Sequence, residues 1–197
     1  MSVANYDRLA SRYESAMRPL DRWFLARLRA QTLMKLPRNG RLLEVGAGSG
    51  LNFMYYPADS HGVATEPSGE MLKLAREKIR PHRVKLVQNC VENLPFASAS
   101  FDMALATLVF CSVSSPAKGF AELRRVVRKG GTVVLLEHVR PTGLLGPVFD
   151  LLSLVTVPLF DDHFNRRTAD EASAAGLEIV DVQCSGFGVF NLITCRT

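Results

Sequence analysis

Hydrophobic positions in the first 35 residues recur at helical spacing. Tyr6, Leu9, Ala10, Tyr13 and Met17 fall three to four positions apart, and Pro19 is expected to break the run. Trp23, Phe24, Leu28 and Leu33 continue an apolar face in a second helix, which the turn Pro37-Arg38-Asn39-Gly40 closes. The period then changes. Residues 41–45 (RLLEV) form a short apolar run that ends in glycines, the pattern of a strand buried on both faces. Similar runs predict strands at 62–65, 84–88, 101–107 and 132–137, with helices between them at 50–56, 68–80 and 116–129. Gly130-Gly131 is expected to end the last of these helices. Strand alternating with helix implies a doubly wound α/β fold with a parallel sheet and right-handed crossovers.

The final third is patterned differently. Residues 144–160 are the longest apolar stretch, but Asp150 interrupts it and Pro147 and Pro158 flank its centre. A spanning helix needs about 20 apolar residues, so a buried or interfacial helix is expected. A polar helix follows near 167–175. Two strand-like runs, 177–184 and 187–195, flank Ser185-Gly186 and predict an antiparallel hairpin at one sheet edge.

Composition narrows the possibilities. A length of 197 residues suits one α/β domain. The net charge of +5 comes without a long basic run or a basic stripe interleaved with aromatics, which argues against a nucleic-acid partner. The cluster Arg124, Arg125, Arg128 and Lys129 reads as a solvated helix face. Four cysteines, at 90, 111, 184 and 195, include no C-x-x-C pair, so no metal site is expected and the thiols should be free. Residues 1–15 have no apolar core and predict no secretory signal, so a reducing cytoplasm is the expected compartment.

The strongest motif is Leu43-Glu44-Val45-Gly46-Ala47-Gly48-Ser49-Gly50, which follows a predicted strand and opens a predicted helix. Glycines there let the backbone turn tightly and approach a ligand. A dinucleotide fingerprint would need a third glycine at position 51, which is Leu51, and no G-K-[ST] phosphate loop is present. A nicotinamide dehydrogenase is therefore disfavoured. Glu44 could hold the ammonium of an amino-acid-like ligand, directly or through water. Glu66, 22 residues later at the end of the second strand, is placed to accept hydrogen bonds from ribose hydroxyls.

Residues 41–138 resemble the core of class I methyltransferases, which use S-adenosylmethionine. The resemblance rests on an ordered set of motifs: E-x-G-x-G-x-G, then G-V-x-x-E-P-S-x-x-M-L, E-N-L-P-F, F-D-x-x-x-x-T, and a glycine-led strand ending in Glu-His. It implies a Rossmann-like seven-stranded sheet in the order 3-2-1-4-5-7-6 with strand 7 antiparallel. It also implies cofactor binding at the carboxyl ends of strands 1–4, with S-adenosylhomocysteine as product. Carried onto this chain, Glu44 and the loop residues Gly46, Ala47, Gly48 and Gly50 would surround the methionine end. Glu66 would hold the ribose, Pro67 and Met71 would pack on the adenine, and Thr107 and Leu108 would lie under the sulfonium. Cys90 and Val91 stand at the adenine wall, where the family usually has an aspartate and a small residue. A thiol is a weak donor and acceptor, so adenine recognition there must weaken or pass to Glu92 or to backbone. The expected organisation is a single methyltransferase domain: a helical lid over 1–36, the cofactor core over 41–138, and acceptor-side helices with the hairpin over 139–197.

Finer features narrow the resemblance. The short run Gly50-Leu51-Asn52-Phe53-Met54-Tyr55-Tyr56-Pro57, the segment Leu108-Val109-Phe110-Cys111-Ser112-Val113 and the segment Leu136-Glu137-His138-Val139 resemble bacterial phosphatidylethanolamine N-methyltransferases. They also resemble the membrane-associated methyltransferase-like proteins that methylate thiols. The opening Tyr6-Asp7-x-x-Ala10-x-x-Tyr13 is similar to that of quinone C-methyltransferases. The lead expectation is methyl transfer to a small amphipathic or lipid-like acceptor, with the amine of phosphatidylethanolamine first. Thiols, quinone precursors and a non-catalytic cofactor-binding module are the alternatives. Peripheral membrane contact through the helix at 144–160 goes with the lead reading. Tyr6 and Tyr13 are expected to sit over the cofactor. Tyr13, His138 and His163 are the candidate catalytic side chains, the histidines for their near-neutral titration. Arg166 or Arg167 could hold a lipid phosphate, and Cys111 reads as a buried thiol.

Overall fold

The structure, a computed structural model, describes Asp7, Pro19, residues 21–141, Gly146, Pro147, residues 149–151, Ser153, Leu154, His163 and residues 165–197. Tyr6, Tyr13 and the other residues of 1–20 apart from Asp7 and Pro19 lie outside the described residues, as does most of 144–160. Pro19, the expected helix breaker, is itself helical. The irregularity falls just after it, in a π-helical turn at Asp21–Leu25 that runs into α1 (Ala26–Met34). Proline has no N–H to donate to the preceding turn, and widening of the coil near such a gap is a common response.

The elements after α1 are β1 (Arg41–Val45), β2 (His61–Glu66), α2 (Gly69–Glu77), β3 (Val84–Gln88), β4 (Phe101–Thr107), α3 (Pro116–Val126), β5 (Val127–His138), α4 (Thr168–Ala174), β6 (Glu178–Ser185) and β7 (Phe190–Arg196). The strands form one seven-stranded sheet in the order β3-β2-β1-β4-β5-β7-β6. β1 runs parallel to β2 and β4, and β5 pairs antiparallel with β7. Fold class, strand order and the reversed β7 are as the sequence reading expects.

The sheet is filled on both faces, as continuous apolar strands require. On one face Leu43, Ala104, Val133 and Leu135 pack with Phe120, Leu123 and Val126 of α3, and the Phe110 and Phe120 rings stack at 3.9 Å. On the other, Leu42, Ala64 and Leu105 meet Leu33 of α1 and Ala75 of α2.

Two boundaries differ from expectation. The helix expected at 50–56 is only a short 3-10 turn, Phe53–Tyr55. Asn52 and Tyr56 on either side turn their polar groups inward to buried Glu44, and Pro57 stops the chain from winding further. The helix expected to reach residue 129 ends at Val126, and Gly130-Gly131 lies inside β5. Phe101 pairs with Val127 but Met103 pairs with Thr132, so the strand bulges between them. The glycines serve that bulge. Gly130 donates to the Thr197 carbonyl at 2.8 Å, and Thr197 donates back to Gly131 at 3.2 Å. Arg128 and Lys129 therefore sit on a strand rather than on a helix face, and Arg128 pairs with Asp102 at 2.7 Å.

Candidate cofactor site

In doubly wound sheets, ligands bind beyond the carboxyl ends of the strands, where neighbouring crossovers leave in opposite directions. Here that point lies between β1 and β4, and a cavity of about 320 Å³ opens there. Its wall includes Gly46, Ala47 and Gly48 after β1, Glu66 and Pro67 after β2, and Met71 of α2. Cys90 and Val91 after β3, and Thr107 and Leu108 at the end of β4, line it as well. Ten of the cofactor residues expected from sequence thus meet around one cavity. Arg29, Ser49, Leu51, Glu92, Val109, Ser112, Val113 and Ser114 line it too.

Glu66 shapes the centre of this wall. Its carboxylate accepts the Gly48 N–H and the Ser68 N–H, each at 2.9 Å. Burial pushes its pKa up, and these two bonds oppose the rise. Each oxygen keeps further lone pairs for a sugar hydroxyl. Ser68 caps α2 by accepting the Met71 N–H at 3.1 Å, so the strand end and the helix start are locked together. The Ser68 hydroxyl donates to Asp7 at 2.5 Å, and Asp7 also accepts the Glu70 N–H at 3.2 Å. Those contacts hold Asp7 at the start of α2.

Glu44 and Gly50 are placed differently from the expectation, since neither lines the cavity. Glu44 is buried beneath the loop, its Oε1 accepting Asn52 Nδ2 at 2.6 Å and its Oε2 the Tyr56 hydroxyl. Burial raises its pKa, against the pull of Tyr56, Asn52 and Arg29. With both oxygens committed inside the protein, Glu44 braces the loop and does not reach an ammonium group directly. Gly50 packs against the Phe53 ring.

The histidines are also placed elsewhere. His138 is the last residue of β5, buried and in register with Phe190. Its neighbour Glu137 faces the loop after β4, and adjacent strand residues point to opposite faces, so His138 is turned away from that loop. His163 donates its backbone N–H to the Cys111 carbonyl at 3.0 Å and is absent from the described wall. Cys111 is buried, as read from sequence. Arg166 is half-buried and donates to the Val113 carbonyl at 2.8 Å, fastening the segment that carries Ser112 and Ser114. Among the described residues no cluster of three potential metal ligands occurs, and no helix is long and apolar enough to cross a membrane.

Sequence reasoning missed Arg29, the cationic side chain in the wall. It is 5% exposed, and its Nε donates to Asp21 Oδ1 at 2.8 Å. Nη1 donates to Asn52 Oδ1 at 2.9 Å and to Thr107 Oγ1 at 3.2 Å. A signal was present: Arg29 stands four positions from Leu25 and from Leu33, on the apolar face of its helix. A charge on such a face needs partners from elsewhere in the fold.

Glu137 controls the wall from behind. Its Oε1 accepts the N–H groups of Val109 and Phe110 at 3.0 and 3.1 Å, just after Leu108 takes a left-handed φ of 56°. Burial pushes its pKa up to about 7 from an ordinary 4.5. Between those values the folded protein binds more protons at this group than the unfolded chain does. Its contribution to stability is therefore full below about pH 4.5 and is lost as the pH rises through about 7. From pH 5 to pH 8 the loss from this group should be roughly 2–3 kcal/mol. Denaturant midpoints at the two pH values measure it. Glu137→Gln should flatten the difference by that amount, and an unaltered slope would contradict the assignment.

A family profile described as a methyltransferase domain matches residues 43–135. Phosphatidylethanolamine N-methyltransferase of Cereibacter sphaeroides is 38% identical over 155 residues, covering 73% of each chain. Thiol S-methyltransferase TMT1B of Mus musculus is 35% identical over 106 residues. That match takes in 51% of this chain but only 43% of the mouse protein. A crystal structure from Thermotoga maritima, described as an S-adenosylmethionine-dependent methyltransferase and possible histamine N-methyltransferase, has a TM-score of 0.75. It covers 98% of both chains at 24% identity, a likeness of fold alone. This chain belongs to the class I S-adenosylmethionine-dependent methyltransferases.

Proposed function

We propose that this protein methylates a small amphipathic or lipid-like acceptor, with the amine of phosphatidylethanolamine as the leading candidate. The observation that carries the reading is the relative of Cereibacter sphaeroides, which matches nearly three-quarters of the chain and is named for that reaction. The wall supports it. Beyond Thr107 it continues as Leu108, Val109 and Val113, apolar surface suited to an acyl-bearing acceptor, with the Ser112 and Ser114 hydroxyls among them. Leu151 and Leu154, on helical residues of the 144–160 stretch, are 65% and 71% exposed and offer an apolar contact for a bilayer surface.

The cavity suits the cofactor on its own chemistry. Arg29 offers a guanidinium to a carboxylate beside the glycine loop, and Glu66 offers acceptors to sugar hydroxyls. Pro67, Met71 and Val91 give an apolar slot for a base, with Cys90 in place of a stronger hydrogen-bonding residue. When bound, S-adenosylmethionine supplies an activated methyl on a sulfonium, so the residues' work is alignment and exclusion of water. Thr107 and Leu108, both in the wall, would floor the reacting centre. His138 and His163 do not line the described wall, and an amine acceptor can lose its proton to solvent before it enters.

Glu66→Ala should weaken binding of S-adenosylhomocysteine by roughly 1.5–3 kcal/mol, the cost of losing hydrogen bonds to a charged group. Calorimetric titration measures it, and a wild-type dissociation constant would contradict the ribose role. The acceptor is tested by following S-adenosylhomocysteine release with phosphatidylethanolamine vesicles, a small alkyl thiol and a quinone precursor. Turnover on the vesicles is expected. Turnover on the thiol alone would transfer the reading to the class of the mouse relative. Cofactor binding without turnover on any of the three would favour a non-catalytic module.

A further inference from the structure

The polar residues under the glycine loop form one buried set, and most of it never touches the cavity. Asn52 is its hub, 1% exposed. Its Nδ2 donates to Glu44 Oε1 at 2.6 Å and to Thr107 Oγ1 at 2.7 Å, while its Oδ1 accepts Arg29 Nη1 at 2.9 Å. The two acceptors fix which way the amide faces, so the oxygen must point at the guanidinium. Of this set only Arg29 and Thr107 reach the wall.

We propose that Asn52 is the positioning residue for Arg29, holding its guanidinium toward the cavity so that the protein selects nucleosides carrying an amino-acid carboxylate over the same nucleoside without one. The proposal rests on the reading that this cavity receives S-adenosylmethionine. Three donor bonds occupy Nε and both hydrogens of Nη1. Nη2 is then the donor edge left for a ligand. A long arginine side chain has many rotamers to lose, and partners that fix it beforehand lower the entropy lost on binding. The neutrality of the hub matters as much as its geometry. Asp21 already pairs with Nε at 2.8 Å, so a carboxylate at position 52 would accept the same bond but would set a second anion on one cation and repel an incoming carboxylate. An amide orients the guanidinium without adding negative charge. Glu44 serves the same end at one remove: held by Asn52 and Tyr56, it fixes the amide.

The test compares two probes by calorimetry, S-adenosylhomocysteine and 5′-methylthioadenosine, which lacks the amino-acid end. Asn52→Ala should weaken the first roughly tenfold, as for loss of an oriented charge-assisted contact, and leave the second within about twofold. Arg29→Ala should do the same, and the double variant should bind S-adenosylhomocysteine no more weakly than Arg29→Ala alone, because Asn52 acts through Arg29. Equal losses for both probes, or additive losses in the double variant, would overturn the proposal. If Asn52→Ala does not fold, Asn52→Ser is measured against the same two probes with the same expectations. A wild-type protein that binds neither probe would instead remove the cofactor reading beneath it.

Discussion

Gly48→Val should abolish measurable binding of S-adenosylhomocysteine while the protein still folds. Gly48 has a φ of +55°, and a Cβ built on it meets nothing within 4 Å, so its side-chain direction opens into the cavity. Its N–H is fixed by Glu66, so the backbone cannot swing aside without breaking a buried charge-assisted bond. A valine would set a branched group into the space the cofactor must fill. The left-handed backbone adds a folding cost of about 1–2 kcal/mol, which a domain of this size can bear. Affinity should fall by roughly 100-fold or more, equal to about 3 kcal/mol. Titration of the variant, with thermal melting as the control for folding, reads this directly. Binding at the wild-type constant would mean the glycine loop does not face the ligand.

Gly62→Ala should act in the opposite way, on the fold and not on the cavity. Gly62 is the second residue of β2, with a φ of +146°, in register with Leu42 of β1. A Cβ there would lie 1.9 Å from the Leu42 carbonyl oxygen and 2.8 Å from its carbon and nitrogen. The obstacle is backbone in a central parallel strand, and no rotamer change removes it. The strands must separate or Gly62 must change conformation, and either breaks the β1–β2 pairing. The expected destabilisation exceeds about 4 kcal/mol, at the extreme of what single substitutions do. Chemical denaturation should show a collapsed midpoint or an insoluble product. A loss under about 1 kcal/mol would show that the strands can part at small cost.

Gly48 lies three residues beyond β1 and Gly62 inside β2; one borders ligand space and the other borders main chain. Glu44 and Glu66 divide in the same manner. Glu66 is the last residue of β2 and Glu44 the last but one of β1, and the sequence reading assigned each a ligand-facing role. Glu66 meets the cavity, whereas Glu44 is sealed below it by Asn52 and Tyr56. Arg29 shows the converse: it lies in a helix outside the recognised motifs, 78 residues from the Thr107 it touches.

Local pattern settled what depends on neighbours in the chain. Apolar runs of strand length, the glycine loop after β1, the acid at the end of β2 and the hairpin about Ser185-Gly186 all follow from residues close together, whose conformational preferences need no distant partner. The strand order came with the family resemblance that the motifs of 41–138 carry. Packing alone decided which polar groups face the ligand and which face each other. That choice follows from the requirement that every buried charge find partners, and those partners come from α1, the loop after β1 and the end of β4, segments far apart in sequence that only the folded sheet brings within hydrogen-bond reach.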